Sequence, residues 1–178
     1  MFSEELHYKE ISEISKLLAA RKLSPVELTE YMLQRIQKVD SQLLSYALPT
    51  PEVALRQARQ AEDQIGRRQI LSQLHGIPVA VKDLCYTQGV PTMSGMPMHR
   101  NFRPGHDATV VRKLRESGAI LIGKLQLTEG AFADHHPDVP PPINPWHRDH
   151  WSGASSSGSG VATAAGLCFG SIGSDTGG

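Results

Sequence analysis

Two clusters of serine and glycine constrain this chain more than any other feature. One is Ser152-Gly153-Ala154-Ser155-Ser156-Ser157-Gly158-Ser159-Gly160, and the other is Gly173-Ser174-Asp175-Thr176-Gly177-Gly178. A single short helix-plus-strand pattern separates them, with an Ala-rich helix expected over 160–166 and a strand over 167–173. Residues this small leave backbone N–H groups and hydroxyls unobstructed. A fold that brings two such clusters together presents donors to an oxyanion, a phosphate or an acyl group under attack. The Gly-Lys-Ser/Thr ending of a phosphate-binding P-loop is absent, which argues against a nucleotide.

A third piece lies far upstream, Gly76-Ile77-Pro78-Val79-Ala80-Val81-Lys82-Asp83. Ile77, Val79 and Val81 alternate with Pro78, Ala80 and Lys82, which is the period of a strand. Proline cannot donate to a sheet ladder, so Pro78 belongs on an edge strand or in the strand's first turn. The strand ends on Lys82. A lysine in that position either snorkels to the surface, pairs with Asp83, or is partly desolvated. Desolvation disfavours the ammonium form, lowers the pKa, and so makes an amine able to take a proton from a hydroxyl. Asp83 and Asp175, beside the two reactive stretches, read as structural hydrogen-bond acceptors rather than proton carriers.

The remaining elements build a scaffold around these pieces. Ile11, Ile14, Leu17 and Leu18 fall at helical spacing and predict a helix to about Ala20. Ser24-Pro25-Val26-Glu27 opens a second, with Ser24 as cap, Pro25 at the first helical position and Glu27 completing a capping box. A third runs from Thr50-Pro51 to a Gly66 stop. Three helices with no strand between them predict an N-terminal helical layer over residues 1–70, ahead of an α/β core over 71–178. In that core Asp107 is expected to cap a helix carrying Val110, Val111 and Leu114. Gly118 closes it, and Ala119 to Gly123 follow as a buried strand. Helix, glycine and apolar run make the second half of a βαβ unit with parallel strands. Residues 134–152 form a long loop rich in proline and histidine. His135, His136, His147 and His150 lack the i, i+4 helical spacing that presets a metal site, so a solvated loop or a pocket wall fits them better than a metal centre.

Charge and length narrow the function classes. The 178 residues carry 18 Lys plus Arg and 18 Asp plus Glu, so the formal net charge is zero. A neutral chain is poor material for a nucleic-acid or anionic-membrane partner. No run of about 18 apolar residues is present, so no membrane span is expected. The acidic start, Met1 to Leu6, lacks the apolar core of a secretory signal. Cys85 and Cys168 form no CxxC pair and read as reduced thiols of a cytosolic protein. The ending at Gly177-Gly178, just past an apolar strand pattern, reads as part of a longer chain.

Taken together, Gly76 to Asp83, Asn144-Pro145-Trp146, Gly153 to Ser159 and Gly173 to Gly178 resemble the amidase signature family in order and spacing. The resemblance runs from about Ile11 to the last residue. It implies an α/β fold, a mixed sheet layered by helices, and hydrolysis of amide bonds by a Ser–Ser–Lys triad without metal or cofactor. Lys82 matches the family's base. Ser155 matches the middle serine, which the family holds after a cis peptide bond, here Ala154–Ser155. Thr176, Gly177 and Gly178 match the backbone donors of the oxyanion hole. The nucleophilic serine is then expected at position 179, one past the last residue given, so these 178 residues alone are expected to be inactive. Ala154 and Ser157 stand where the family often has glycine. The implied substrate is a small-molecule amide. A homodimer, a non-catalytic fragment that binds a partner chain, and one subunit of an amidotransferase that works with a partner subunit all stay open.

Overall fold

The computed structural model describes residues 6–175. Helix α1 spans Ile11–Ala19 and α2 spans Pro25–Leu43. Ser24 caps α2 as expected, its Oγ accepting the N–H groups of Val26 and Glu27 at 3.0 and 3.2 Å, but the Glu27 side chain does not return the bond that would complete a capping box. At its other end the chain turns sharply. Leu44 is left-handed at φ +56°. The Asp40 carboxylate accepts the N–H groups of Ser45 and Tyr46 at 2.8 and 3.1 Å.

That turn launches a strand the helical pattern hides. β1 spans Tyr46–Pro49 and pairs antiparallel with β3, Ile120–Leu125, so the first three helices are not consecutive. α3 follows over Pro51–Gly66. β2 spans Pro78–Lys82, with Pro78 as its first residue and the strand itself inside the sheet. α4 covers Thr109–Glu116 and leads into β3, which runs parallel to β2 as a βαβ unit requires. α4 starts from Ala108 rather than a side-chain cap. Asp107 is used elsewhere, accepting Gln88 N–H at 2.7 Å and pairing with Arg115 at 3.1 Å. α5 spans Ser157–Ala164, three residues earlier than expected, and β4 is only Ser171–Ile172.

The four strands are ordered β1-β3-β2-β4, mixed in direction. β2 and β3 are buried at every residue because helices cover both faces. Alternation along the strands sorts the contacts. Ala80, Ile120 and Ile122 pack with Met32 and Ile36 of α2, Ala54 and Ala58 of α3, and Ala162 of α5. Val81 and Leu121 pack on the opposite side with Val111 of α4. No helix among the described residues is long and apolar enough to cross a membrane.

The first turn of α5 enters a crowded corner. Gly158 N–H donates to Gln126 O at 3.0 Å, and Gln126 N–H donates to Ser45 O at 2.9 Å. A Cβ on Gly158 would lie 2.5 Å from Gln126 N and closer still to Ser45 O. Two residues on, a Cβ at Gly160 meets nothing nearer than Ser152 O at 4.0 Å. Two substitutions in one helix therefore act with opposite sign. Gly158→Ala is expected to destabilise by about 3 kcal/mol, since backbone rather than a flexible side chain must yield. Gly160→Ala is expected to stabilise by about 0.5–1 kcal/mol through helix propensity. Urea unfolding of the two variants measures both.

Candidate active site

Three chain segments meet at the carboxyl end of the parallel strands, where open α/β sheets place their ligand sites. Lys82 is the last residue of β2 and is fully buried. Its Nζ lies 2.5 Å from Ser155 Oγ and 2.9 Å from Ser174 Oγ. Ser155 precedes α5, and the Ala154–Ser155 peptide bond is cis. Its carbonyl accepts Thr128 N–H at 3.2 Å. Ser174 follows β4. Ser156 Oγ clasps it twice, accepting Ser174 N–H and donating to Ser174 O, both at 3.1 Å.

Burial pushes the Lys82 pKa below the ordinary lysine value of 10.5, while the charges of Cys85 and Asp175 pull it partly back. A neutral amine has two N–H bonds and one lone pair. That arrangement lets Lys82 donate to Ser174 and accept the Ser155 hydroxyl proton in the same geometry. Thr176, Gly177 and Gly178, expected to form the oxyanion hole, lie outside the described residues.

Asp83 is an acceptor, in keeping with its position beside Lys82. Oδ2 takes the N–H groups of Met93 and Ser94 at 2.9 and 3.2 Å. Oδ1 receives Lys124 Nζ at 2.7 Å, and Lys124 also donates to Thr92 Oγ1 at 2.9 Å. Both members of the pair are buried, at 2% and 0% exposure. Burial raises the Asp83 pKa and lowers that of Lys124, and each partner's charge opposes the shift of the other. Lys124 escapes sequence reasoning because the apolar run that predicts the strand stops at Gly123. A lysine continuing an apolar strand is itself the signal that a buried carboxylate must be near.

The histidine loop divides. His135 lies beside the first turn of α5, its Nε2 3.2 Å from Ser157 Oγ, and its Nδ1 is buried without a partner. His136 faces Asp138 in an exposed turn, and the His147 and His150 rings lie against each other at 4.4 Å. Asn144 Oδ1 accepts Trp146 N–H at 3.0 Å and so shapes a surface turn. Among the described residues, no three His, Cys, Asp or Glu side chains converge as metal ligands would.

The Amidase family model matches residues 27–178. The chain belongs to the amidase family. It is 55% identical over 169 residues to the Mycobacterium tuberculosis protein named amidase AmiD, covering 95% of this chain and 36% of that protein. It is 43% identical over 176 residues to a subunit of the glutamyl-tRNA(Gln) amidotransferase of Chloroflexus aggregans, covering 98% of this chain and 36% of that protein. The fold superposes on the peptide amidase of Stenotrophomonas maltophilia with a TM-score of 0.84 and 31% identity, covering 90% of this chain and 34% of the enzyme. A bacterial aryl acylamidase shares the fold at TM-score 0.87 and 24% identity, with 93% and 35% covered. The chain thus spans about a third of the length of the relatives it matches.

The two buried lysines of this amidase-family chain are expected to respond oppositely to the same substitution. Lys124→Met strands the Asp83 charge and should destabilise by about 3–5 kcal/mol, with Asp83→Asn added to it restoring part of the loss. Lys82 has hydroxyl partners and a lowered pKa, so its ammonium form opposes folding. That penalty is complete below the folded-state pKa and vanishes as pH rises to 10.5, because the unfolded chain binds the extra proton throughout that window. Lys82→Met is therefore expected to raise stability at neutral pH, by an amount that shrinks toward pH 10.5. Urea unfolding across pH reads both effects.

Proposed function

We propose that the protein hydrolyses the amide bond of a small-molecule substrate through an acyl-enzyme, with Lys82 as base and Ser155 as the proton relay. The observation that carries this reading is the contact of the fully buried Lys82, through Nζ, with Ser155 Oγ at 2.5 Å. A Ser–Ser–Lys triad needs a nucleophilic serine, which this reading places directly after Gly178. Its Oγ attacks the amide carbon while its proton passes to Ser155 Oγ and the Ser155 proton passes to the neutral Lys82 amine. The C–N bond then breaks and the proton returns along the same path to the leaving amine. Water attacks the resulting ester, again with proton removal toward Lys82, and releases a carboxylic acid and the free serine. Thr176, Gly177 and Gly178 are the proposed backbone donors to the oxyanion of each tetrahedral intermediate. His135, beside Ser157, is proposed as part of the substrate-pocket wall. Two buried free thiols, Cys85 and Cys168, accord with a cytoplasmic setting.

A second reading is favoured by the 43% identity to an amidotransferase subunit over nearly the whole chain. In that case the same site releases ammonia from an amide donor for use by a partner subunit. Co-purification of tightly bound subunits with the full-length protein separates this reading from a free-standing hydrolase.

A fluorophosphonate probe tests the catalytic reading on the full-length protein. Peptide mass mapping should find one adduct, on the serine after Gly178, and Lys82→Met and Ser155→Ala should each slow labelling by about 100-fold or more. Labelling indifferent to both substitutions would overturn the assignment. The pH dependence of kcat/KM should show an acidic limb that falls as Lys82 gains a proton, with its midpoint below 10.5, and Lys82→Met should abolish that limb.

A further inference from the structure

At the opposite end of the sheet from Lys82, a cavity of about 270 Å³ opens between α3 and the residues that lead into β2 and β3. His75 and Ala119, which line it, precede the two strands, whereas Lys82 ends β2. Two strands of this length put the cavity roughly 15 Å from the Lys82 amine.

Hydrogen-bond accounting shows what the cavity offers. The Oε1 atom of Gln57 is occupied, accepting Leu121 N–H at 2.8 Å. His75 Nδ1 accepts Leu71 N–H at 3.1 Å, so the ring's proton is on Nε2 and is donated to Gln64 Oε1 at 3.0 Å. The Gln57 and Gln64 oxygens thus each already accept a hydrogen bond, Gln60 lines the wall beside them, and each of the three amides brings two N–H donors to one acceptor oxygen. The Arg115 guanidinium pairs with Asp107 through Nη1, while its Nε is buried with no partner. Arg56, also lining the cavity, forms no ion pair among the described residues. Among the described residues, no carboxylate side chain lines the space. Its polar wall therefore consists of amide and guanidinium donors in excess of acceptors. Val53 and Ala61 add an apolar floor.

We propose that this cavity is a binding site for a small organic carboxylate, held by Arg56, Arg115 and the amide groups of Gln57 and Gln64. A planar carboxylate matches the guanidinium fork, and the anion supplies the acceptors that the wall lacks. The apolar floor selects an organic acid over a bare inorganic anion. The site is separate from the Lys82 centre, and the proposal does not depend on the amidase mechanism.

Sodium benzoate is a suitable probe, titrated into the ¹⁵N-labelled full-length protein. Saturable shifts are expected at the Gln57 and Gln64 side-chain amides and at Ala119 N–H, with a Kd of about 1 mM, ordinary efficiency for a ligand of about nine heavy atoms. Arg56→Gln alone should raise Kd about tenfold, and Arg115→Lys, which keeps the charge near Asp107 but removes Nε, should raise it as much. Unchanged thermal melting in each variant ties the loss to the site rather than to the fold. Absence of saturable shifts, or an affinity in both variants unchanged from that of the unsubstituted protein, overturns the proposal. Inorganic phosphate competing as well as benzoate overturns its selectivity for an organic acid.

Discussion

Two amines are buried at the ends of adjacent parallel strands, and their polar partners differ. Lys124 Nζ sits 2.7 Å from Asp83 Oδ1, whereas Lys82 Nζ meets the hydroxyls of Ser155 and Ser174. Removing an ammonium group from water costs several kcal/mol unless a counter-charge and hydrogen bonds compensate. The sheet resolves the two cases differently. Asp83 is the immediate neighbour of Lys82 in sequence, yet its side chain is committed to Lys124 and to the Met93 and Ser94 N–H groups. Lys82 is left with partners that tolerate a neutral amine. One lysine is thus held as a structural cation, and the other is biased toward the form able to accept a proton.

The ion pair also reaches the site through the backbone. Asp83 fixes the Met93–Ser94 turn, and Ser94 O accepts Gly130 N–H at 2.9 Å. Gly95 lies in the left-handed region at φ +69°, so close to Leu127 O and Thr128 O that a Cβ would stand 2.9 Å from each. Thr128 N–H in turn holds Ser155 O. Charge pairing, a tight turn and one carbonyl contact therefore connect the interior of the sheet to the serine that touches Lys82.

Much of this is legible in the sequence, and the failures have physical causes. The strand ending on Lys82 is readable because alternation and a terminal polar residue both survive in a fully buried strand. Helix caps with their own chemistry, such as Ser24, are readable too. β1 is hidden because Tyr46 to Pro49 is a short run between two strong helices, and what makes it a strand is pairing with β3, about 75 residues later in the chain. Asp107 looks like a cap because local pattern cannot show that Arg115 and the Gln88 N–H compete for its carboxylate. Ser155 and the Ala154–Ser155 bond are reached through family resemblance, which carries information that spacing does not. Lys124 has no motif to announce it.

The serine-rich run repays a reading in terms of packing as well as reactivity. β4 is two residues long, too short for its ladder to hold it in place. Counted from Ser156, the residue that precedes α5, Ser159 and Thr163 fall at i+3 and i+7 on one face of the helix. Ser159 Oγ donates to Ile172 O at 3.2 Å, and Thr163 Oγ1 lies 2.9 Å from Ser171 Oγ, which donates on to Ser159 O. Ser156 holds Ser174 at both N–H and C=O. Side-chain hydroxyls thereby supply the fastening that main-chain pairing cannot, and they set the height at which Ser174 meets Lys82. Gly158 lets the same helix approach the Ser45 and Gln126 backbone without a side chain in the way. Within Ser155 to Ser159 the serines therefore divide their work. Ser156 and Ser159 dock the helix, Ser157 meets His135, and Ser155 is the one whose hydroxyl points to the buried amine.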